Sequence, residues 1–495
     1  MTTDIRAELE RRSDDRTYRM LIDGKWVLAK SGATFRCVDP FTGKDWGHVP
    51  AAAAADVDDA VQAARRAFDS GGWPQTPPAQ RANLLRRLGT LIAENARTLI
   101  EAQVHENGKL VGEMTSGLRT IVGDCNFYAG LAETIRGYTT QSNIPNFIAY
   151  TVREPLGVIA AITPWNTPLG LLAWKLLPAL AAGNTIVIKP SEVTPTSTLL
   201  LGELVEQAGF PPGVVNIVTG FGKDAGSPLV SHPDVDKIAF TGATSTGQSI
   251  AAIAAQRNAR VSLELGGKSP NIIFADCNLD AAVKGIVGGI FAATGQSCMA
   301  GSRVLVEDGI YDALVERLRE RTGTLKLGDP LDPTTEMGPL ASRAQLAKVC
   351  SYFDVGRDEG FVLLAGGDRP DEPGFFVRPT IFSNVSNQSR LAREEIFGPI
   401  ASLIRFKGED EAVSIANDTV FGLAAGVWTK DVGRAHRMIS RLRAGVVWVN
   451  AYRYFDHSLP FGGMKQSGLG RENGLDALND YTEVKSVWIN SAADA

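Results

Sequence analysis

The chain has 495 residues, more than one compact domain usually holds, so two or three domains are expected. Its hydrophobic content of 44% is ordinary for a globular protein, and its net charge of −5 comes without a basic block, which argues against nucleic acid as a partner. The five cysteines are widely spaced and include no C-x-x-C pair, which favours a reducing cytoplasm over a disulfide framework or a metal site.

The N-terminal part predicts short strands followed by helices. Residues 1–10 are charged and lack the apolar run of a signal peptide. Residues 21–27 are typical of the short strands expected in the first fifty residues. Helical periodicity follows at 56–68 and 81–107.

Residues 155–174 carry no charge and are long enough to cross a bilayer. However, Pro164 and Pro168 fall inside the segment and disfavour one continuous helix. We therefore predict a buried strand at 157–162, a turn, and a buried helix to about residue 182, with no membrane partner.

Strands and helices alternate from residue 157 onward. The first series has predicted strands at 185–189, 214–218, 237–241 and 261–265, with helices at 196–208 and 247–255. Uniformly apolar strands separated by helices indicate a parallel sheet covered on both faces. A second α/β series has predicted strands at 271–274, 303–306, 401–406, 424–428 and 446–450, with helices at 311–321 and 432–442. The joint is expected at Gly266-Gly267, where two glycines permit a bend.

The segment 240–247, Phe-Thr-Gly-Ala-Thr-Ser-Thr-Gly, follows a predicted strand and opens a predicted helix. Gly242 and Gly247 would let the backbone approach a pyrophosphate, which the N-terminus of a helix attracts. The spacing is not G-x-G-x-x-G, and a tight turn capped by Ser245 or Thr246 explains it equally well.

Lys189-Pro-Ser-Glu192 lies at the end of a predicted buried strand, where ligands of open α/β sheets bind. Lys189 can donate to ribose hydroxyls. Glu192 can accept from a 2′-hydroxyl and would repel a 2′-phosphate, which favours NAD over NADP. The alternative is a pair of solvated charges at a strand end.

Cys298 differs from the other cysteines, which are interpreted as buried hydrophobes: Cys37, Cys125, Cys277 and Cys350. Its neighbours in Gly-Gln-Ser-Cys-Met-Ala-Gly-Ser are small, so a ligand could reach the sulfur. A nucleophilic thiolate there would need a lowered pKa, from a helix N-terminus or a nearby cation.

Three further side chains suit the same chemistry, each with an ordinary alternative. Glu264 interrupts an apolar strand, and it is either a desolvated base or the solvent side of an edge strand. Asn166 is either an oxyanion donor or an N-cap or turn residue. Lys175 either helps to hold a thiolate or extends outward to solvent.

Seven segments in order resemble the aldehyde dehydrogenase superfamily, and the resemblance runs from about residue 21 to 488. They are Pro164-Trp-Asn166, Lys189-Pro-Ser-Glu192, Phe240-Thr-Gly242 with Gly247, Leu263-Glu-Leu-Gly-Gly-Lys268, Gly295-Gln-Ser-Cys298, Glu394-Glu-Ile-Phe-Gly-Pro399 and Pro460-Phe-Gly-Gly463. The resemblance implies an α/β fold with a Rossmann-type cofactor domain, an α/β catalytic domain and a β oligomerisation arm.

The resemblance also implies roles for residues. Cys298 would be the nucleophile, Glu264 the base, and Asn166 the oxyanion donor together with the Cys298 N–H; Lys175 joins the catalytic group. The implied cofactor set is Ile162, Thr163, Pro164, Trp165, Lys189, Ser191, Glu192, Gly222, Phe240, Thr241, Gly242, Ser245, Leu265, Gly266, Glu395 and Phe397. The cofactor would be NAD, with NADP possible, and the product a carboxylic acid formed through a thiohemiacetal and a thioester.

The implied domains are a cofactor domain at 1–136 and 157–265, a catalytic domain at 266–468, and an arm at 137–156 and 469–495. The arm is β-rich and apolar enough to add strands to a second subunit, so a homodimer or homotetramer is expected.

The loop 450–457 resembles the family's substrate entrance. Tyr452, Tyr454 and Phe455 would form an aromatic wall. Arg453 and His457 would attract an acidic group, unless they are surface charges without a ligand. Other residues expected to line the tunnel are Trp174, Met299 and Leu169.

Two other functions remain open at this stage. A CoA-acylating dehydrogenase of the same fold would pass the thioester to coenzyme A, but such enzymes typically lack the glutamate at position 264. A non-catalytic binding relative would be expected to lose the thiol or the base, and both are present.

Overall fold

The computed structural model describes residues 17–492, so the prediction for residues 1–10 lies outside the described part. The strands are β1 (Met20–Ile22), β2 (Lys25–Val27), β3 (Thr34–Val38), β4 (Asp45–Pro50), β5 (Thr139–Thr140), β6 (Phe147–Pro155), β7 (Val158–Ile162), β8 (Thr185–Lys189), β9 (Val215–Ile217), β10 (Lys237–Thr241), β11 (Arg260–Glu264), β12 (Pro270–Ile273), β13 (Arg303–Glu307), β14 (Val362–Ala365), β15 (Thr380–Ser383), β16 (Ile400–Phe406), β17 (Ala424–Trp428), β18 (Val446–Val449), β19 (Gly468–Leu469) and β20 (Thr482–Asn490). The helices are α1 (Ala54–Asp69), α2 (Pro78–Glu94), α3 (Ala96–Asn107), α4 (Val111–Ala132), α5 (Pro168–Ala182), α6 (Thr196–Ala208), α7 (Ser227–Ser231), α8 (Thr244–Ala255), α9 (Leu279–Ile290), α10 (Tyr311–Gly323), α11 (Arg343–Asp358), α12 (Arg390–Arg393), α13 (Gly408–Asn417), α14 (Val432–Arg441) and α15 (Gly474–Asp480).

The first sheet has the strand order β19-β11-β10-β7-β8-β9-β1-β2. Its strands from β11 to β9 run parallel, and β19, β1 and β2 extend it antiparallel. Alternate residues of β7 pack into two different hydrophobic clusters, Ile159 with Ala161 on one face and Val158 with Ala160 on the other. The parallel sheet covered on both faces is therefore confirmed.

The second sheet has the order β14-β15-β16-β13-β12-β17-β18, parallel except for the edge strand β14. It begins six residues after Glu264 ends β11, since β12 starts at Pro270. The predicted joint at Gly266-Gly267 lies between the two sheets. Glycine is required at both positions because neighbouring atoms leave no space for a side chain. A Cβ at Gly266 would lie 2.4 Å from Glu395 Oε2, and one at Gly267 would lie 2.3 Å from the Cys298 carbonyl oxygen.

A third sheet joins distant parts of the chain in the order β20-β6-β5. β20 pairs antiparallel with β6 along its whole length, from Thr482 opposite Pro155 to Asn490 opposite Phe147. These strands correspond to the segments predicted as an arm.

Three local predictions differ from the structure. The helical segment 81–107 is two helices, α2 and α3, which meet at Asn95. The helix expected from residue 247 begins at Thr244 after Ala243, and no side chain caps it, so the predicted cap by Ser245 or Thr246 is wrong.

The uncharged segment 155–174 is divided among β6, β7, a loop and the start of α5. No helix within residues 17–492 is both long and apolar enough to cross a membrane.

Candidate functional site

A cavity of about 180 Å³ lies at the carboxyl ends of neighbouring parallel strands. Thr241 ends β10, Glu264 ends β11, and the loop 164–166 follows β7. Because the carboxyl ends of parallel strands share one edge of a sheet, segments distant in the chain meet there. The lining residues are Pro164, Trp165, Asn166, Leu171, Thr241, Gly242, Ala243, Glu264, Leu265, Gly266, Cys298, Gln345, Lys348, Glu395 and Phe397.

Cys298 enters this cavity from a turn that interrupts regular structure. Ala293 and Thr294, which precede Cys298 in this turn, have φ of 53° and 55°. This left-handed backbone conformation costs free energy for residues that carry a Cβ. The thiol is half-buried, and this burial raises the pKa of Cys298 to about 12, helped by the carboxylates of Glu395 and Glu264. The backbone N–H of Met299 lowers the pKa of Cys298, but by less. The lowered thiol pKa that a free thiolate would need is therefore absent.

Asn166 is buried, and its Nδ2 donates to the carbonyl oxygen of Gln296 at 3.0 Å. This bond uses one amide hydrogen and leaves the other for a ligand. The cap of α5 is Thr167, so the N-cap role of Asn166 is wrong, whereas its place in the turn before this helix agrees with the alternative. Within residues 17–492 the backbone N–H of Cys298 bonds to no backbone carbonyl, and Cys298 and Asn166 both line the cavity.

Glu264 is buried, and β19 covers the outer side of its strand, so the solvent-facing alternative is wrong. Neither carboxylate oxygen has a hydrogen-bond partner in the described protein. Burial raises the pKa of Glu264 well above its usual value, and the neighbouring Glu472 adds to this effect. Such a carboxylate is a stronger base than an exposed one.

Lys175 is fully buried, so the outward orientation is wrong. Its Nζ donates to Thr241 Oγ1 at 2.6 Å and forms an ion pair with Glu472. Thr241 lies opposite Glu264 in the sheet register, and the Lys175 ammonium lowers the pKa of Glu264 against the larger effect of burial. Lys175 is thus placed beside the base. Glu472 was not predicted.

The opposite wall of the cavity contains Glu395 and Phe397. Glu395 Oε1 accepts from the Gly267 N–H at 2.9 Å, and burial raises the pKa of this carboxyl. The Phe397 ring stands edge-on to Trp165, with centroids 5.3 Å apart. The predicted cofactor residues at this wall therefore share a cavity with Cys298.

Lys189 and Glu192 lie outside that cavity. The buried Lys189 Nζ donates to the Pro190 carbonyl oxygen at 2.9 Å and is 3.7 Å from Glu192 Oε2. The Lys189 side chain is 3% exposed and that of Glu192 42%, so the solvated alternative is wrong for Lys189. Glu192 lines a second cavity of about 330 Å³ together with Phe221 and Arg343.

Six more predicted cofactor residues also lie outside the catalytic cavity. Phe240 packs its ring against Gly242, and Ser245 is exposed in the first turn of α8. The remaining four are Ile162, Thr163, Ser191 and Gly222. Residues that the sequence analysis did not identify are Leu171, Ala243, Gln345 and Lys348.

An aromatic cluster, defined here as Trp174, Phe455 and Phe461, lies where the substrate wall was expected. Ring centroids are 5.2 Å apart for Trp174 and Phe461 and 5.7 Å apart for Phe455 and Phe461. The predicted wall differs, because Tyr452 is buried and Tyr454 is 72% exposed. Leu169 is a core residue.

Arg453 and His457 point to different neighbours. Arg453 has φ of 65°, and its Nη1 donates to the Ala292 carbonyl oxygen at 3.1 Å, on the segment that leads to Cys298. The His457 ring lies 4.9 Å from Phe127. The guanidinium of Arg453 lowers the pKa of Cys298, against the larger effect of burial.

Met299 and Lys109 are two further residues near Cys298. The Met299 carbonyl oxygen accepts from Tyr452 Oη at 3.0 Å. Lys109 was not predicted; it is buried, and its Nζ donates to Thr167 Oγ1 at 2.7 Å. Burial lowers the pKa of Lys109 to about 8.

Comparisons with known proteins agree over nearly the whole chain. The sequence model of the Aldehyde dehydrogenase family matches residues 26–487. Betaine aldehyde dehydrogenase of Bacillus subtilis (strain 168) is 42% identical over 476 residues, which cover 95% of this chain and 97% of that protein. An aldehyde dehydrogenase of Emericella nidulans is 44% identical over 469 residues, 94% of both chains. The crystal structure of betaine aldehyde dehydrogenase from Staphylococcus aureus in complex with NAD⁺ has a TM-score of 0.96 at 38% identity and covers 99% of this chain and 98% of that one.

Proposed function

This chain belongs to the aldehyde dehydrogenase family, and we propose that it oxidises an aldehyde to its carboxylic acid with NAD, through a thiohemiacetal and a thioester on Cys298. One observation carries the proposal: the catalytic cavity brings together a thiol, the buried carboxylate of Glu264 and the amide of Asn166. Nucleophile, base and oxyanion donor are the groups needed to form a thioester and hydrolyse it.

The first step forms a bond from Cys298 Sγ to the aldehyde carbon, and the carbonyl electron pair moves to the oxygen. Because the pKa of the thiol is about 12, its proton must go to a base, and Glu264 is the carboxylate at the strand end of the cavity. The free amide hydrogen of Asn166 and the N–H of Cys298 stabilise the alkoxide.

Collapse of the alkoxide releases a hydride from the same carbon, and the chemistry that bound NAD supplies is to accept it. The sulfur then carries an acyl group. Glu264 removes a proton from a water molecule, whose oxygen attacks the acyl carbon, and the Cys298 thiolate leaves as the carboxylic acid forms. Glu264 passes the thiol proton to solvent before it accepts the proton from water, and the departing thiolate takes up one proton to restore the thiol. One net proton is therefore released when the acid forms, and a second when the acid ionises. Lys175 with Glu472 lies next to the base that handles these protons.

The residues of the cavity fit NAD. Gly242 leaves room where a side chain would meet the Phe240 ring at 2.6 Å, and α8 begins just beyond it without a side-chain cap, so its N–H groups suit a pyrophosphate. Glu395 would accept from the ribose next to the nicotinamide, and Phe397 would lie beside its ring. We assign the remaining predicted cofactor residues to the rest of the NAD molecule.

We assign the adenosine ribose to Lys189 and Glu192. Glu192 stands on the rim of the second cavity with its carboxylate held 3.7 Å from Lys189. An acid there can accept from a 2′-hydroxyl and repels a 2′-phosphate, so NAD is preferred to NADP.

The substrate is a medium-sized aldehyde that packs against the aromatic cluster, beside Met299. Arg453 would attract a carboxylate at its far end, since no carboxylate within residues 17–492 pairs with this guanidinium at salt-bridge distance. His457 has a weaker case, because it packs on Phe127. A semialdehyde is the corresponding substrate class.

We further propose a cofactor domain at 1–136 and 157–265, a catalytic domain at 266–468 and an arm at 137–156 and 469–495. The three-stranded sheet of the arm would join subunits in a homodimer or homotetramer. Cytoplasmic localisation is supported by the cysteines, all of which are free.

The test uses purified protein with NAD or NADP, aliphatic, aromatic and semialdehyde substrates, and no CoA, with NADH or NADPH formation measured by absorbance. Activity that disappears in Cys298→Ala and survives in Cys350→Ala, a second half-buried thiol, is the expected result. Activity that appears only after CoA is added would instead place the enzyme in the acylating class.

A further inference from the structure

Lys268 is a buried lysine without a partner. It is 2% exposed, and its Nζ has no hydrogen-bond partner in the described protein. A buried ammonium normally has a carboxylate or several oxygen acceptors around it, because transfer out of water is costly. An unpartnered one therefore calls for a specific explanation.

A small cavity adjoins Lys268. A cavity of about 10 Å³ is lined by Lys268, Glu395, Ser297 and Ser302, among others. This is the volume that one water molecule needs, and a water requires two or more polar neighbours, which these side chains supply. Glu395 also lines the catalytic cavity, so this residue contacts both spaces.

The other charges near Lys268 are already engaged. Arg303 donates through Nε to the Lys268 carbonyl oxygen and through its remaining nitrogens to Asn387 and two backbone carbonyls. Lys348 donates to the backbone oxygen of Glu395. Glu394 pairs with Arg390.

The Glu395 carboxylate is different, because its hydrogen bond within residues 17–492 comes from the Gly267 N–H, and no cation lies within salt-bridge distance. Lys268 and Glu395 are thus an unpaired cation and an unpaired anion that face the same small space.

We propose that Lys268 is a positioning residue for Glu395: through one water molecule in the small cavity it holds the carboxylate toward the catalytic cavity, where Glu395 binds the ribose of NAD. The water accepts from Lys268 Nζ and donates to Glu395. The inference rests on the proposed function, since that function assigns the ribose to Glu395.

The charge on Lys268 makes this role depend on pH. Burial, the Arg303 guanidinium and the Lys348 ammonium lower the pKa of Lys268 to about 7. The carboxylates of Glu395 and Glu394 raise it, but by less. Below neutral pH the protonated amine stabilises the Glu395 carboxylate. As pH rises through about 7 the charge is lost, so NAD affinity should fall.

The experiment measures the dissociation constant of NAD by quenching of tryptophan fluorescence, without aldehyde, from about pH 6 to about pH 9. In the unaltered protein we expect affinity to fall about fivefold across this range. Lys268→Met should bind NAD about fivefold more weakly at low pH and lose the pH dependence. The matched control is Lys237→Met, which removes another 2%-exposed lysine at the start of β10.

Glu395→Gln and the double variant Lys268→Met/Glu395→Gln complete a double-mutant cycle. If Lys268 acts through Glu395, the two substitutions are non-additive, and the double variant binds like Glu395→Gln alone. Additive effects, or an unchanged affinity in a folded Lys268→Met protein, would overturn the role. Should Lys268→Met not fold, a pH-independent affinity in the unaltered protein would overturn it as well. Absence of NAD binding in the unaltered protein at every pH would instead refute the proposed function, on which the inference rests.

Discussion

Lys175 forms an ion pair with Glu472 in which the two side chains are 0% and 1% exposed. The pair lies beside Glu264, whose pKa is raised first by burial and then by Glu472, and lowered by Lys175. A buried ion pair contributes little to stability by itself, because both charges lose their hydration. Its position next to the base indicates that it sets the protonation of Glu264.

The first prediction concerns Glu472→Gln. Removing this negative charge leaves Lys175 unopposed, and both changes favour ionised Glu264, so the pKa of Glu264 should fall. Deacylation needs the carboxylate form, and its rate rises with pH through this pKa. The acid side of the kcat profile should therefore move to lower pH. Asp476→Asn, an exposed acid four residues later in α15, serves as control, and an unmoved profile would contradict the prediction.

The second prediction separates the two uses of Glu264. In Glu264→Gln the amide can accept a proton neither from the Cys298 thiol nor from water, so acylation and hydrolysis should both slow, and steady-state kcat should fall about a thousandfold. Intact-protein mass spectrometry after brief mixing with aldehyde and NAD should show little acyl adduct on Cys298. If the adduct accumulates while activity is lost, another base takes the thiol proton and Glu264 acts only in hydrolysis.

The third prediction tests the substrate class. Arg453→Ala should lower kcat/KM for semialdehydes that carry a far carboxylate by about tenfold and leave aliphatic aldehydes within about twofold. His457→Ala, from the same loop, is the comparison, because its ring lies against Phe127 rather than near the thiol. Equal losses for charged and uncharged aldehydes would show that Arg453 serves only to anchor the Ala292 segment.

Periodicity was sufficient for the regular elements. The bounds of β8, β10, β17 and α6 match those predicted, because buried parallel strands and their covering helices have uniform apolar patterns. Local turns were harder to predict. α8 begins at Thr244, earlier than predicted, because the backbone at the end of β10 determines where the helix begins. The capping preference of Ser245 therefore does not predict the first residue of this helix.

The candidate site likewise contains residues that the sequence predicts and residues that it does not. Cys298, Glu264 and Asn166 stand in recognisable motifs, and the structure places them in one cavity. Lys175 and Glu472 are separated by 297 residues, so no local pattern links them. The ion-pair partner of a buried charge depends on tertiary packing and not on local sequence.

The last prediction concerns the arm. In β20 the side chains of Val484, Trp488 and Ile489 are 47%, 56% and 45% exposed, and Ile148 on the paired strand β6 is 54% exposed. Apolar residues exposed along both strands of a small sheet are typical of a subunit interface, where their burial provides about 25 cal/mol per Å². Trp488→Lys should therefore shift the protein toward a smaller species in size-exclusion chromatography with light scattering. Val432→Lys, at a 72%-exposed position on α14, should leave the mass unchanged. An unaltered protein that is already monomeric at micromolar concentration would refute the role of the arm.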